Sequence, residues 1–152
     1  MKKIYALTLG CPKNLVDTEK LLFARFGEYQ PVEKPEHANI ILINTCSFIL
    51  PAKEEGIDTI FEMVELSKRS ETRKRIIVTG CMVEQYGAQL QADLPEVELL
   101  LDQDVLYYEG RILTTSPFTY LKIAEGCSRQ CAFCTIPSFK GPYRSREMKD
   151  IL

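Results

Sequence analysis

The chain alternates short apolar runs with longer segments of helical spacing. Residues 3–9 (Lys-Ile-Tyr-Ala-Leu-Thr-Leu) predict a strand that ends at Gly10-Cys11-Pro12. Residues 15–27 then place Leu15, Leu21, Leu22 and Phe26 on one side of a helix. Pro31 and Pro35 break the chain. Ile40-Ile41-Leu42-Ile43 is a continuous apolar run, the pattern of a strand buried on both faces, and Cys46 comes just after it. Residues 52–68 predict a second helix with an apolar stripe of Ile57, Ile60, Phe61, Val64 and Leu66. Ile76-Ile77-Val78 predicts another buried strand leading into Gly80-Cys81. A third helix is expected over 82–94, stopped by Pro95, with a short strand near residues 97–101.

Strand, cysteine and helix thus recur three times, with Cys11, Cys46 and Cys81 spaced 35 residues apart. Strands alternating with helices predict an α/β fold with a parallel sheet and right-handed crossovers. In such a sheet every strand-to-helix loop lies at the carboxyl edge, where open α/β sheets bind ligands. Three cysteines just past strand ends are therefore expected to converge. The helices that follow point their N-termini at that edge, which suits an anionic thiolate-ligated group.

Residues 102–118 lack a sustained period and read as a linker: Asp102-Gln103-Asp104, Tyr107-Tyr108-Glu109-Gly110 and Thr114-Thr115-Ser116-Pro117. Residues 119–124 predict a new strand running into Gly126-Cys127, and Ser145 is placed to cap a helix from Arg146. The expected organisation is a first domain over 1–101, a linker over 102–118 and the start of a second domain over 119–152.

Composition excludes some function classes. Hydrophobic residues make up 45% of the 152 and charged residues 26%, the balance of a globular protein. No apolar run reaches the roughly 18 residues that span a bilayer. The N-terminus has two lysines and a brief apolar stretch but no small-residue cleavage site, so it reads as a strand of a cytoplasmic protein. The net charge of -2 is uneven: residues 122–152 carry +3 and residues 1–121 carry -5. An acidic first domain is a poor footprint for RNA and a reasonable one for a basic protein partner.

Six cysteines without a secretion signal favour metal or redox chemistry over a disulfide framework. The strongest local motif is Cys127-Ser-Arg-Gln-Cys131-Ala-Phe-Cys134, a C-x3-C-x2-C loop. Three thiolates on one loop can bind three irons of a 4Fe–4S cube and leave the fourth open. S-adenosylmethionine (SAM) can chelate that iron, and Phe133 is placed to lie against its adenine. Zinc competes for the same residues, but structural zinc sites prefer four protein ligands, and the only histidine, His37, sits far off in a Pro-flanked loop. Cys11, Cys46 and Cys81 are less specific, since free cysteines often serve as small buried hydrophobes. As a set they would again leave one iron open. Lys13, Asn14 and Asp17 are read as loop-shaping or capping residues. The basic run from Lys140 to Arg146 is read as a solvated loop or as a contact to substrate or SAM.

Gly10-Cys-Pro-Lys-Asn-Leu-Val-Asp17, Asn44-Thr-Cys46, Thr79-Gly-Cys81, Glu125-Gly-Cys-Ser-Arg-Gln-Cys-Ala-Phe-Cys134, Ile136-Pro-Ser-Phe-Lys-Gly141 and Ser145-Arg146 together resemble the methylthiotransferase family of radical SAM enzymes. The resemblance covers nearly the whole chain. It implies an N-terminal methylthiotransferase domain with a parallel sheet flanked by helices. The first strand and cluster loop of a radical SAM partial (β/α) barrel would follow, truncated here. In the family the barrel continues and a TRAM domain closes the chain, so the present chain is expected to be an N-terminal fragment not competent for turnover alone.

The resemblance also implies metal ligands: an auxiliary 4Fe–4S cluster on Cys11, Cys46 and Cys81, and a SAM cluster on Cys127, Cys131 and Cys134. Catalysis would be borne by these two clusters and SAM, with no catalytic side chain. Gly-Cys-Pro-Lys-Asn-x-Val-Asp and Ile-Pro-Ser-x-(Arg/Lys)-Gly match the RimO-like branch, which adds a methylthio group to the β-carbon of an aspartate in small-ribosomal-subunit protein twelve. An electron donor such as flavodoxin or ferredoxin is implied as a further partner. Two alternatives are a MiaB-like tRNA methylthiotransferase, whose branch usually reads Gly-Cys-Gln-Met-Asn at the first cysteine, and a non-catalytic iron–sulfur fragment.

Overall fold

The structure is a computed structural model that describes residues 1–101, 105–115 and 117–152. Asp102, Gln103, Asp104 and Ser116, assigned to the linker, lie outside the described residues. Five strands form one parallel sheet in the order β2-β1-β3-β4-β5. They are β1 (Lys2–Thr8), β2 (Tyr29–Pro31), β3 (Ile40–Thr45), β4 (Arg75–Gly80) and β5 (Glu98–Leu99). The three long helices are α1 (Pro12–Leu21), which widens into a π-type turn over Leu22–Phe26, α2 (Leu50–Arg69) and α3 (Cys81–Asp93).

The unbroken apolar run of β3 is explained by packing on both faces. Ile41 and Ile43 point to a core with Ile60, Met63 and Val64 of α2 and Met82, Val83 and Leu90 of α3. Ile40 and Leu42 point to the other face, against Ile4, Leu22 and Ile77. The sheet is doubly wound, and the chain reverses its direction of winding between β1 and β3. That reversal opens a crevice at the carboxyl ends of these two strands, the usual ligand position in open α/β sheets.

Several expectations change in detail. Pro31 does break the chain, but a short edge strand, β2, precedes the break and pairs with β1 through Lys2 and Tyr29. An edge position tolerates Pro31, which has no N–H to give a further strand. Phe61 leaves the α2 stripe: it is half exposed, and Gly56, Ile60, Met63, Val64 and Ser67 form the buried face. The linker is not free. Val105 and Leu106 are buried in a 3-10 turn, Val105–Tyr107, and Ile112 packs against the α1 face of the sheet.

The strand expected over 119–124 shrinks to β6 (Ala124–Glu125), which pairs antiparallel with β7 (Arg144–Ser145). Leu121 and Ile123 are exposed and meet no strand partner among the described residues. Ser145 lies in β7 and does not cap a helix; its hydroxyl donates to its neighbour's carbonyl, Arg146 O. Only a 3-10 turn, Met148–Asp150, follows. A further short helix, α4 (Ile136–Lys140), forms after the cysteine loop. No helix among the described residues is long and apolar enough to cross a membrane.

Candidate metal centre

Cys11 caps the N-terminus of α1, Cys46 follows β3 directly, and Cys81 opens α3. Two glycines let these loops close on one another. Gly10 has φ +125°, and a Cβ there would stand 2.8 Å from Cys46 Cβ. Gly80 has φ +95°, and a Cβ there would stand 2.2 Å from Asn44 Oδ1 and 2.4 Å from Thr45 O. Any larger residue at either position would push the strand ends apart and meet backbone strain as well.

Buried amides hold the loop bases. Asn14 Nδ2 donates to Asn44 Oδ1 and to Thr45 O, both at 2.9 Å, while Asn44 Nδ2 donates to Asn14 O at 2.9 Å. Thr45 Oγ1 donates to Thr79 O at 2.7 Å, tying β3 to β4. Asn14 therefore does not cap α1; it stitches the α1 loop to β3 and accepts from Cys11 Sγ at 3.3 Å.

The outcome is one cavity of about 480 Å³ with Cys11, Cys46 and Cys81 in its wall. Phe48, Ile49, Ala52, Ile136 and Phe139 make much of the wall apolar, and Lys13 and Lys140 stand there with the acidic Asp17 and Glu125. All six cysteines are free thiols. Burial pushes the Cys81 thiol up to about 11, only partly opposed by Lys140. A buried thiol of that kind needs a cation to become a ligand, and iron would supply it. The buried Ser47 hydroxyl, beside Cys46, has no hydrogen-bond partner among the described residues.

No group of three His, Cys, Asp or Glu side chains among the described residues is arranged to hold a single metal ion. A cube spreads its thiolates over different irons, so it needs a roomier arrangement than one ion does. Three soft donors around a largely apolar cavity fit such a cluster.

Cys127, Cys131 and Cys134 occupy a loop between β6 and α4. Gly126, with φ +76°, turns the chain, and Cys127 N–H donates to Gly141 O at 3.0 Å. Cys134 N–H donates to Cys131 O at 3.1 Å, and Arg129 N–H approaches Cys127 Sγ at 3.5 Å. Cys131 is exposed and Phe133 is 89% exposed, so the face expected to meet adenine is open. His37 is exposed in a 3-10 turn, Pro35–His37, and does not line the thiol cavity.

Charged side chains join the two cysteine regions, and their spacing gave no sign of it. Lys122 Nζ donates to Asp17 Oδ1 at 2.7 Å and Oδ2 at 2.8 Å, and also pairs with Glu125. Asp17 is thus an ion-pair partner and no cap. Lys13 reaches Glu125 at 3.4 Å. Lys140 is not solvated: it is largely buried, pairs with Glu84 at 2.8 Å and lines the thiol cavity. Burial opposes the ionised form of Glu125, but Lys122, Lys140 and the Gly126 N–H outweigh it and pull the carboxyl down to about 2. Burial raises Asp17 despite Lys122.

A depressed carboxyl stabilises the fold fully above its ordinary value and loses that contribution as pH falls through its folded value. The raised Asp17 acts in the opposite sense. Docking of the β6–β7 segment is therefore expected to weaken between pH 4.5 and about 2. The raised Asp17 offsets part of that loss. Tyrosine fluorescence from Tyr120 and Tyr143 against pH checks this, and Glu125→Gln should flatten the dependence in that window.

A doubly wound α/β domain with three thiols around a cavity at its carboxyl edge, and a second three-cysteine loop docked on it, is the class that fold and site define. The chain belongs to the family described as uncharacterized protein family UPF0004, whose model matches residues 3–102. It is similar over 99% of its length to a protein of a Nitratiruptor species named ribosomal protein uS12 methylthiotransferase RimO, at 42% identity. Proteins of the same name from a Sulfurihydrogenibium species and from Nitratidesulfovibrio vulgaris are 45% and 41% identical over 99% and 100% of the chain. The chain is RimO-like throughout, and it spans 38–41% of the length of these three relatives.

Proposed function

We propose that this chain is the N-terminal part of a radical SAM methylthiotransferase that modifies the β-carbon of an aspartate in ribosomal protein uS12, small-subunit protein twelve, in the reducing cytoplasm. The observation that carries the reading is the convergence of Cys11, Cys46 and Cys81 on one cavity, beside a docked C-x3-C-x2-C loop. Similarity to the RimO proteins over the full chain supports the substrate class.

Cys11, Cys46 and Cys81 would hold an auxiliary 4Fe–4S cluster, and Cys127, Cys131 and Cys134 the cluster that engages SAM. When bound, these groups supply radical and sulfur-transfer chemistry that no side-chain acid or base can provide. The chain's own residues position and shield. Phe48, Ile49 and Phe139 give the cavity an apolar wall, and Cys11 and Cys81 stand at the N-terminal ends of α1 and α3, where the helix dipole favours a thiolate. Phe133 offers an open apolar face for the adenine of SAM. Residues 119–152 are read as the start of a radical SAM barrel. A reduced flavodoxin or ferredoxin would supply electrons.

The test is an anaerobic assay of a chain extended to the length of its relatives, offered both uS12 and tRNA carrying isopentenyl-adenosine. Methylthiolation of uS12 alone is expected. Modification of the tRNA alone would replace this reading with the tRNA branch.

A further inference from the structure

Four charges form a row between the two cysteine regions. Lys13 and Asp17 stand one turn apart on α1, directly after Cys11. Lys122 and Glu125 stand three residues apart on the segment that runs into Cys127. Signs alternate along the row: Asp17 meets Lys122 at 2.7 Å, Lys122 meets Glu125, and Glu125 meets Lys13 at 3.4 Å. Three members are buried: Asp17 is 8% exposed, Lys122 5% and Glu125 6%. Glu125 also accepts from Gly126 N–H at 3.1 Å, so the row reaches the turn that begins the Cys127 loop.

Burying three ionised groups is unfavourable unless each is matched. The match here exists only while the two segments keep this relative placement: away from it, Lys122 keeps only Glu125 of its own segment and Asp17 loses Lys122. Such an arrangement selects one geometry more than it adds stability. From this we propose that Lys122, with Asp17, Glu125 and Lys13, forms a positioning latch that fixes the Cys127–Cys134 loop relative to the thiol cavity. In the proposed enzyme, on which this role rests, the latch sets the separation of the two iron–sulfur sites. Lys122 touches neither site and acts through the loop it anchors.

The experiment compares the 152-residue chain with Lys122→Met and Lys122→Arg by amide hydrogen exchange. Lys122→Met is expected to speed exchange over residues 122–146 by about ten-fold or more, while β1, β3 and β4 keep their protection. Lys122→Arg, which keeps the charge, should restore most of that protection. After anaerobic reconstitution, Lys122→Met should retain its iron yet show a weakened magnetic interaction between the two reduced clusters by pulsed electron paramagnetic resonance. Should Lys122→Met unfold as a whole, Glu125→Gln is read in the same way, because it leaves the Lys122–Asp17 pair in place. Exchange over 122–146 matching wild type in the folded variant overturns the latch. So does an unchanged cluster interaction. The exchange arm needs no iron and no substrate, so a failure of the enzymatic reading would leave it standing as a separate result.

Discussion

Replacing Cys46 by Ala in the extended enzyme is expected to abolish methylthio transfer, by at least about a thousand-fold, while reductive cleavage of SAM continues. Replacing Cys131 by Ala should abolish both. The asymmetry follows from where the thiols stand. Cys46 is buried in the cavity wall with Cys11 and Cys81, whereas Cys131 sits exposed on the separate C-x3-C-x2-C loop. Each set offers three donors, so loss of one leaves two, too few to hold a cube firmly. In the proposed enzyme the chemistry would belong to the cofactor, so no neighbouring side chain could substitute. High-performance separation of 5′-deoxyadenosine and of modified uS12 peptide reads the two activities in one reaction. Equal loss of both products in Cys46→Ala would argue that the two sets do not act as separate sites.

The second large effect concerns Glu19, which is fully buried on α1. Its Oε1 accepts from Thr114 N–H at 2.6 Å and Thr114 Oγ1 at 2.7 Å, and its Oε2 from Arg111 Nε at 2.9 Å. This carboxylate therefore holds two points of the connecting segment against the sheet domain. Glu19→Gln keeps the shape but replaces an acceptor with an N–H donor and leaves Arg111, itself mostly buried, without a counter-charge. Breaking one side of a buried pair costs about 3–5 kcal/mol. Urea unfolding should show a loss of that order, and trypsin should cut after Arg111 far faster than in wild type. An unchanged cleavage rate would mean that the segment is held by its apolar contacts alone.

The sheet domain was legible because its signals are local. The β3 run and the repeated Gly-Cys after strands mark the layers and the edge without reference to the rest of the chain. What escaped was long-range polar pairing. Along α1, Asp17 reads as a loop-shaping or capping residue and nothing singles out Glu19 or Lys20, yet all three are buried. Their partners lie 86 to 105 residues away, in Leu106, Arg111, Thr114 and Lys122. Lys20 is pushed down to about 8, first by burial and then by Arg146, which shows how closely this face is covered. No periodicity records such pairings. Phe61 misled for the opposite reason: an apolar residue near the right angle faces solvent, and Gly56 and Ser67 take the close positions instead. The strand over 119–124 failed because alternation alone does not make a strand where a pairing partner is missing among the described residues.

In the proposed enzyme the six free cysteines form two separate three-thiol sites. Iron counting with Mössbauer spectroscopy, on the anaerobically reconstituted chain, tests it most directly. The account predicts about eight irons per chain, all in 4Fe–4S form, falling to about four when Cys11, Cys46 and Cys81 are replaced together by Ala. An iron content unaffected by that triple replacement, or stoichiometric zinc with no iron–sulfur signal, would contradict it.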